Sequence, residues 1–328
     1  MPDVKTRYMG LELANPVIVG SSTHTITPEK VKALEEAGAA AVVLKSIFEE
    51  QIRLEVTDMF DALEQQEHAE AYEYLRADYP MQIGPETYLD RLRAIKAAAN
   101  IPVIASVNCV DADRWVAFGR KIEQAGADAL ELNIYDIAAS NAVESAEIED
   151  RHIALVEAVT AEVGIPVAVK IGPYYTSLPR FAARLNATQA RAVVMFNRFF
   201  QPDIDIEELA LKPAINLSRP DDIRLPLRWI ALLRSVLICD IALTSGVHDA
   251  AGVIKALLAG ANTVQICSVL YHRDPSVIGE LVRGLEAWMG QHGFYSVEAF
   301  RGRMAVTDAE DRQGYERAQY VKSLVGLE

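Results

Sequence analysis

The chain has little that would tie it to a metal, a membrane or a nucleic acid. It holds three cysteines in 328 residues, Cys109, Cys239 and Cys267, none of them in a Cys-x-x-Cys pair. An iron–sulfur cluster needs about four thiolates, so the three read instead as reduced, buried thiols. The six histidines, among them His24, His152 and His248, show no His-Glu-x-x-His or paired spacing, and no metal is expected. There is no run of about 18 apolar residues, and the opening MPDVKTRYMG lacks an apolar signal core, so no membrane association and a cytoplasmic location are expected. Lys and Arg number 32 against 46 Asp and Glu, a net charge of −14. That balance argues against nucleic acid, because a phosphate backbone needs a basic face. Neither a Gly-x-Gly-x-x-Gly loop nor a phosphate loop ending in Gly-Lys-Ser/Thr occurs, so a nicotinamide dinucleotide would be used only through a partner.

What is present is a regular alternation. Short apolar runs read as strands at Pro16–Gly20, Ala39–Lys45, Pro102–Val107, Asp128–Asn133, Pro166–Ile171, Ala192–Asn197, Leu237–Thr244 and Asn262–Ile266. Runs this apolar suit strands covered on both faces, as parallel strands are. Amphipathic stretches separate them. Thr27-Pro28 opens a helix through Ala37, and Ser177–Asn186, Asp249–Ala259 and Pro275–Met289 read the same way. The pairs Gly38-Ala39, Gly126-Ala127 and Gly260-Ala261 look like helix C-caps that lead into strands. Eight strand–helix repeats predict an α/β fold, a (β/α)₈ TIM barrel, with residues 1–328 as one domain. Phe48–Asn100, read as two or three helical segments, and the polar Phe199–Pro226 are insertions, expected at the C-terminal face of the barrel.

An active site on such a barrel stands at the C-terminal strand ends. Those ends read Gly20-Ser21-Ser22, Lys45-Ser46, Asn108, Asn133, Lys170, Asn197, Ser245-Gly246 and Cys267-Ser268. Two lysines and three asparagines there are more than packing needs. An ammonium stabilises an anionic reduced flavin, and Asn offers both a donor and an acceptor to a pyrimidine edge. The small loops TSGV and CSVL suit a phosphate held by backbone N–H groups, although Ser245-Gly246 alone also reads as an ordinary turn.

NPVIVGSSTHT followed by GAAAVVLKS resembles the opening of the dihydroorotate dehydrogenase family. ELNIYD is similar to the family's Glu-Leu-Asn-Leu-Ser-Cys strand, PVAVKIGPYY to its Pro-(apolar)-Lys-(apolar)-Pro-Pro segment, and TSGV and VQICSVLY to its two phosphate loops. The resemblance runs in order from about Met9 to Arg283. It implies an FMN flavoprotein of pyrimidine biosynthesis that oxidises dihydroorotate or a related dihydropyrimidine by hydride transfer to flavin N5. It further implies that Gly20, Ser21, Lys45, Ser46, Asn108, Asn133, Lys170, Ser245, Gly246, Cys267 and Ser268 line FMN, with Lys45, Asn133 and Asn197 facing substrate. A homodimer and an electron-acceptor partner subunit are expected with it.

The pattern departs in three places. Asp136 stands where the family has its Cys or Ser base. A carboxylate is a competent base if burial raises its pKa, and is otherwise a loop or helix-capping residue. Leu75–Gly84 lacks the family's substrate-holding Asn. Arg198 and Arg219 replace small residues, either to bind a carboxylate or as surface ion pairs. Catalytic roles are expected for Asp136 and Lys45. Two other readings stay open: a barrel lyase with a Schiff base on Lys170, and a flavin-binding electron-transfer subunit.

Overall fold

The computed structural model describes residues 2–48, 84–109, 112–199, 202–212, 217–306 and 312–326. A hairpin comes first, β1 (Thr6–Tyr8) against β2 (Leu11–Leu13), turning at Met9-Gly10. Eight parallel strands follow: β3 (Val17–Val19), β4 (Ala41–Val43), β6 (Val103–Cys109), β7 (Ala129–Ile134), β8 (Val167–Ile171), β9 (Ala192–Met195), β12 (Asp240–Thr244) and β13 (Thr263–Ile266). Each pairs with the next in that order, and β13 pairs with β3. The sheet is therefore closed, the (β/α)₈ barrel expected from the alternation. A short strand, β5 (Ile47–Phe48), also pairs with β6, and a second hairpin, β10 (Asp203–Asp205) with β11 (Ala210–Lys212), lies in the polar insertion.

Side-chain alternation sorts the core into two parts. Outward residues such as Leu130, Leu132 and Ile134 of β7, or Val167, Val169 and Ile171 of β8, pack under the helices. Inward positions at the lower end are small: Ala41, Ala129, Ala168, Ala192 and Ala242. That leaves room for Tyr8, Met9 and Leu13 of the first hairpin, which plug the N-terminal end of the barrel. Higher up the same inward rows turn polar. Val43 is followed by Lys45, Ser106 by Asn108, Ala129 by Glu131 and Asn133, Ala168 by Lys170, and Thr263 by Gln265.

The helices obey their predicted signals. Thr27 caps α1 (Pro28–Glu36) by accepting from Lys30 N, and Asp249 caps α7 (Ala250–Ala259) by accepting from Gly252 N. The others are α2 (Pro85–Ala98), α3 (Ala112–Gln124), α4 (Ser145–Glu162), α5 (Leu178–Leu185), α6 (Arg224–Leu233), α8 (Val269–His272), α9 (Val277–Gln291) and α10 (Arg312–Val325). At the Gly-Ala joints, Gly38, Gly126 and Gly260 have φ of 103°, 92° and 118°, the left-handed geometry of a helix C-cap. The strand expected from Leu237 begins only at Asp240. Leu237 N still donates to Leu233 O of α6, and Ile238 N to the Asn186 side chain. Of the helices expected within Phe48–Asn100, α2 is described and residues 49–83 lie outside the described part. Among the described residues no helix is long and apolar enough to cross a membrane.

Candidate active site

At the mouth a cavity of about 210 Å³ is lined by Ser21, Lys170, Asn197, Arg198, Ser245 and Cys267, among others. Lys170 and Asn133 are neighbours in register on β8 and β7, so both point inward at one level. One level below lies Glu131, only 1% exposed. Its Oε1 is 3.6 Å from Lys170 Nζ, and its Oε2 accepts from Gln265 Nε2 at 2.6 Å across the barrel. A buried carboxylate is costly unless paired, so Glu131 and Lys170 hold each other in place. Lys170 thus has an acidic neighbour that its sequence surroundings did not show.

Three buried acceptors on these two levels, Asn133 Oδ1, Gln265 Oε1 and Glu131 Oε1, lack a hydrogen bond among the described residues. Buried polar atoms are nearly always satisfied, so such a cluster marks a place for a ligand with donors of its own. Lys45, half-buried at the end of β4, has no ion pair among the described residues. Burial, and then the Arg91 charge, hold its ammonium below the ordinary lysine range. Ser21, Ser46 and Ser106 form a hydroxyl chain beneath it, with Ser46 Oγ 2.7 Å from Ser106 Oγ and 3.2 Å from Ser21 Oγ. Asn108 is buried on the same inward row. Asn197 is also buried, and its Nδ2 donates to Ile134 O at 3.0 Å, fastening the ends of β7 and β9.

The loops after β12 and β13 form the other half of the mouth. Ser245 and Gly246 have φ of 81° and 76°. A Cβ on Gly246 would lie 2.2 Å from Ile223 N, so only glycine fits. Ser245, which carries a Cβ, sits in this left-handed region at a cost of about 1–3 kcal/mol. The backbone N–H groups of Ser245, Gly246, Cys267 and Ser268 make no hydrogen bond to another described residue. Such a set of free N–H groups suits an anion. Ser268 Oγ accepts from Ser218 N at 2.8 Å, which draws the end of the polar insertion over the mouth. Burial pushes the Cys267 thiol up, keeping it neutral. Gly20 N donates to Ile266 O, and a Cβ there would approach Gln265.

Asp136 lies apart from this group. Continuing the alternation of β7 carries Glu131, Asn133 and Tyr135 inward and sends Asp136 outward. Its carboxylate takes Arg151 Nη2 at 2.8 Å and His152 Nε2 at 3.2 Å, both on α4. His152 Nδ1 is in turn 3.1 Å from Tyr175 Oη. Arg198 pairs with Asp222 at 2.9 Å, so of the two expected roles it takes the ion pair, while Arg219 is exposed. His24 stands beside the mouth, ring to ring with Tyr271 at 4.6 Å, and its buried Nε2 lacks a partner. The altered loop at 75–83 lies outside the described residues.

Sequence reasoning missed Glu131 and Gln265. Both sit in runs read as uniformly apolar, and the missed signal was the alternation Ala129, Glu131, Asn133 within one strand.

Fold and site together define a (β/α)₈ barrel whose polar side chains gather at the C-terminal strand ends. The family model for dihydroorotate dehydrogenase matches residues 67–289, more than half of the chain. The chain belongs to the dihydroorotate dehydrogenase family, whose members are oxidoreductases acting on a CH–CH group. It is similar to the catalytic subunit of dihydroorotate dehydrogenase B (NAD(+)) from Thermoplasma acidophilum, 26% identical over 308 residues, covering 92% of this chain and 99% of that protein. The protein of the same name from Pyrococcus furiosus is 26% identical over 305 residues, covering 91% and 98%. That from Methanothermobacter thermautotrophicus is 24% identical over 316 residues, covering 91% and 97%.

Proposed function

We propose that the chain, as one barrel unit over residues 1–328, is an FMN-dependent cytoplasmic enzyme. In this reading it oxidises dihydroorotate, or a closely related dihydropyrimidine, in pyrimidine biosynthesis. The observation that carries it is the coincidence at one mouth of an anion cradle and an ammonium beside unsatisfied acceptors. The cradle is the N–H groups of Ser245, Gly246, Cys267 and Ser268, which have no partner among the described residues. The ammonium is Lys170, held by Glu131, with Asn133 Oδ1 and Gln265 Oε1 beside it. A phosphate fits the first and an isoalloxazine edge, with its N–H donor, fits the second. When bound, FMN supplies a two-electron acceptor whose N5 takes a hydride.

Lys170 would stabilise negative charge that develops on the bound group, and Glu131 keeps that ammonium aimed. Gly20, Ser21, Ser46, Asn108 and Lys45 would hold the group from the β3, β4 and β6 side of the mouth. Lys45, Asn133 and Asn197 orient the substrate ring. Asp136 occupies the position of the family's base. To accept a proton from substrate it must first leave Arg151 and His152, and we assign it instead as a tie between β7 and α4. The ion pair also favours this reading over a Schiff-base lyase, because an ammonium held by a carboxylate is not the free amine that addition to a carbonyl needs. Relatives named as NAD(+)-linked catalytic subunits support a separate electron-acceptor subunit, and a homodimer is part of the same reading.

The test is anaerobic mixing with dihydroorotate, followed in the visible flavin spectrum. Bleaching by dihydroorotate or by dihydrouracil, with one oxidised pyrimidine formed per flavin, is expected. A yellow protein that dihydroorotate and dihydrouracil both leave oxidised would sink the reading in favour of an electron-transfer subunit, and a colourless protein would remove FMN from it.

A further inference from the structure

Three aromatic side chains meet where β7, β8 and β9 open into the mouth. Phe199 stacks on Tyr135 with centroids 4.5 Å apart and an interplanar angle of 24°. Tyr174 meets the same ring edge-on at 4.9 Å and 70°. The Phe199 ring lies directly on the backbone of Gly172, where an added Cβ would sit 2.3 Å from Phe199 Cε2. Any side chain at 172 would evict the ring. The sequence departs from the resembled motifs in concert: Tyr135 stands where the motif has Ser, Gly172 where it has the first Pro, and Arg198 where it has Ser. Two of these changes build one aromatic wall: Tyr135 supplies a ring, and Gly172 leaves the space that Phe199 fills.

The wall adjoins the working groups. Tyr135 follows Asn133 on the inward row, Gly172 follows Lys170, and Phe199 comes two residues after Asn197. Tyr174 remains 71% exposed, so its ring gains little from packing on the protein itself. Among the described residues, Lys170 is matched by Glu131, Arg198 by Asp222 and Arg151 by Asp136. Lys45 is at the end of β4, three strands away from β8 in the closed sheet. A substrate carboxylate on this side would meet aromatic faces and compensated charges.

We infer that Tyr135, Tyr174 and Phe199 determine specificity, selecting a planar nitrogen heterocycle whose substituent on this side is apolar or aromatic rather than a carboxylate. This rests on the site assignment above and, of the substrates named there, favours a related dihydropyrimidine over dihydroorotate. Asn133 Oδ1 takes a ring N–H, and the substituent stacks against the wall.

Calorimetric titration of the purified protein with uracil, 6-methyluracil, 6-phenyluracil and orotate tests it. These rings differ only at one position, and calorimetry reads binding whether or not flavin is present. 6-Phenyluracil is expected to bind tightest and orotate weakest. Phe199→Ala should lower the 6-phenyluracil affinity by roughly threefold to tenfold, the range of one aromatic contact, and leave uracil nearly unchanged. Tyr174→Ala, at an exposed position that does not threaten folding, should give a smaller loss in the same direction. Orotate binding at least as tightly as 6-methyluracil, unchanged ratios in both variants, or no binding of any of the four would each overturn the inference. Orotate preferred by a yellow protein leaves the FMN reading intact and removes the wall. The expected order in a colourless protein does the reverse.

Discussion

The two ends of the same eight strands are finished in opposite ways. At the N-terminal floor polar groups are tied to one another. Asp240 accepts from Met9 N at 2.7 Å and from Asn262 Nδ2 at 2.8 Å, while Asn262 Oδ1 accepts from Ile241 N. The Tyr8 hydroxyl and Thr263 Oγ1 are the floor's unsatisfied side-chain atoms among the described residues. At the mouth the acceptors of Asn133 and Gln265, the Lys45 ammonium and four backbone N–H groups have no partner among the described residues. The larger cavity, about 770 Å³, is nevertheless at the floor, beside Arg7, Arg191 and Asp240. Size therefore misleads here. The floor cleft is a gap between tied elements, and the mouth is a smaller space lined by groups that want partners.

The contrast predicts where substitutions act. The largest effect belongs to Gly246→Asp at the mouth. A side chain there collides with Ile223, and its charge opposes a phosphate, so the protein should purify folded and without FMN, read from its visible absorbance. A fully yellow variant would move the phosphate site elsewhere. Next is the floor. Asp240→Ala strands Met9 N and the Asn262 amide and should cost about 1–3 kcal/mol in denaturant unfolding, with FMN affinity unchanged. A loss of FMN with little loss of stability would erase the distinction between the two ends.

Smaller effects sharpen the comparison at the boundary between barrel and α4. Burial lowers the His152 pKa, with Asp136 opposing, so the folded protein favours the neutral ring. Below about pH 6.5 the unfolded chain takes up its proton first, and stability should fall with pH until the folded form also protonates. His152→Gln should flatten this acid slope in part, because burial also lowers His24 and His248. The smallest effect is expected for Asp136→Asn. Flavin reduction should stay within about threefold of wild type, against roughly 10²–10⁴-fold for a lost general base. A loss of that larger size in stopped-flow reduction would return Asp136 to the chemistry.

Much of the barrel was legible because its cause is local. Each apolar run lies within a few residues of its own strand, and Thr27, Asp249 and the Gly-Ala joints cap helices by neighbouring contacts. The ends were less so: Leu237 to Cys239 have a strand's composition but lie in the connection that follows α6. At the mouth, the strand-end Lys and Asn residues stood out by their contrast with apolar neighbours. Glu131 did not, since its partner Gln265 is 134 positions away and no spacing records a contact across a barrel. The aromatic wall was hidden for the same reason, its three rings coming from three strand ends. Asp136 was singled out by its place three residues after Asn133, and its partners Arg151 and His152 on α4 left no mark in that spacing.

Glu131 has a further consequence. One carboxylate touches both Lys170 and Gln265, and Gln265 lies on the strand that runs into Cys267-Ser268. The proposed seats for the ring and the phosphate therefore share a common anchor, like two stays fixed to a single mast step. Slack introduced at that step cannot be taken up at one seat alone. Substitutions of Lys170 and of Ser268 should then fail to add when combined, whereas either should add with a change in the floor hairpin, which hangs from no part of that rigging.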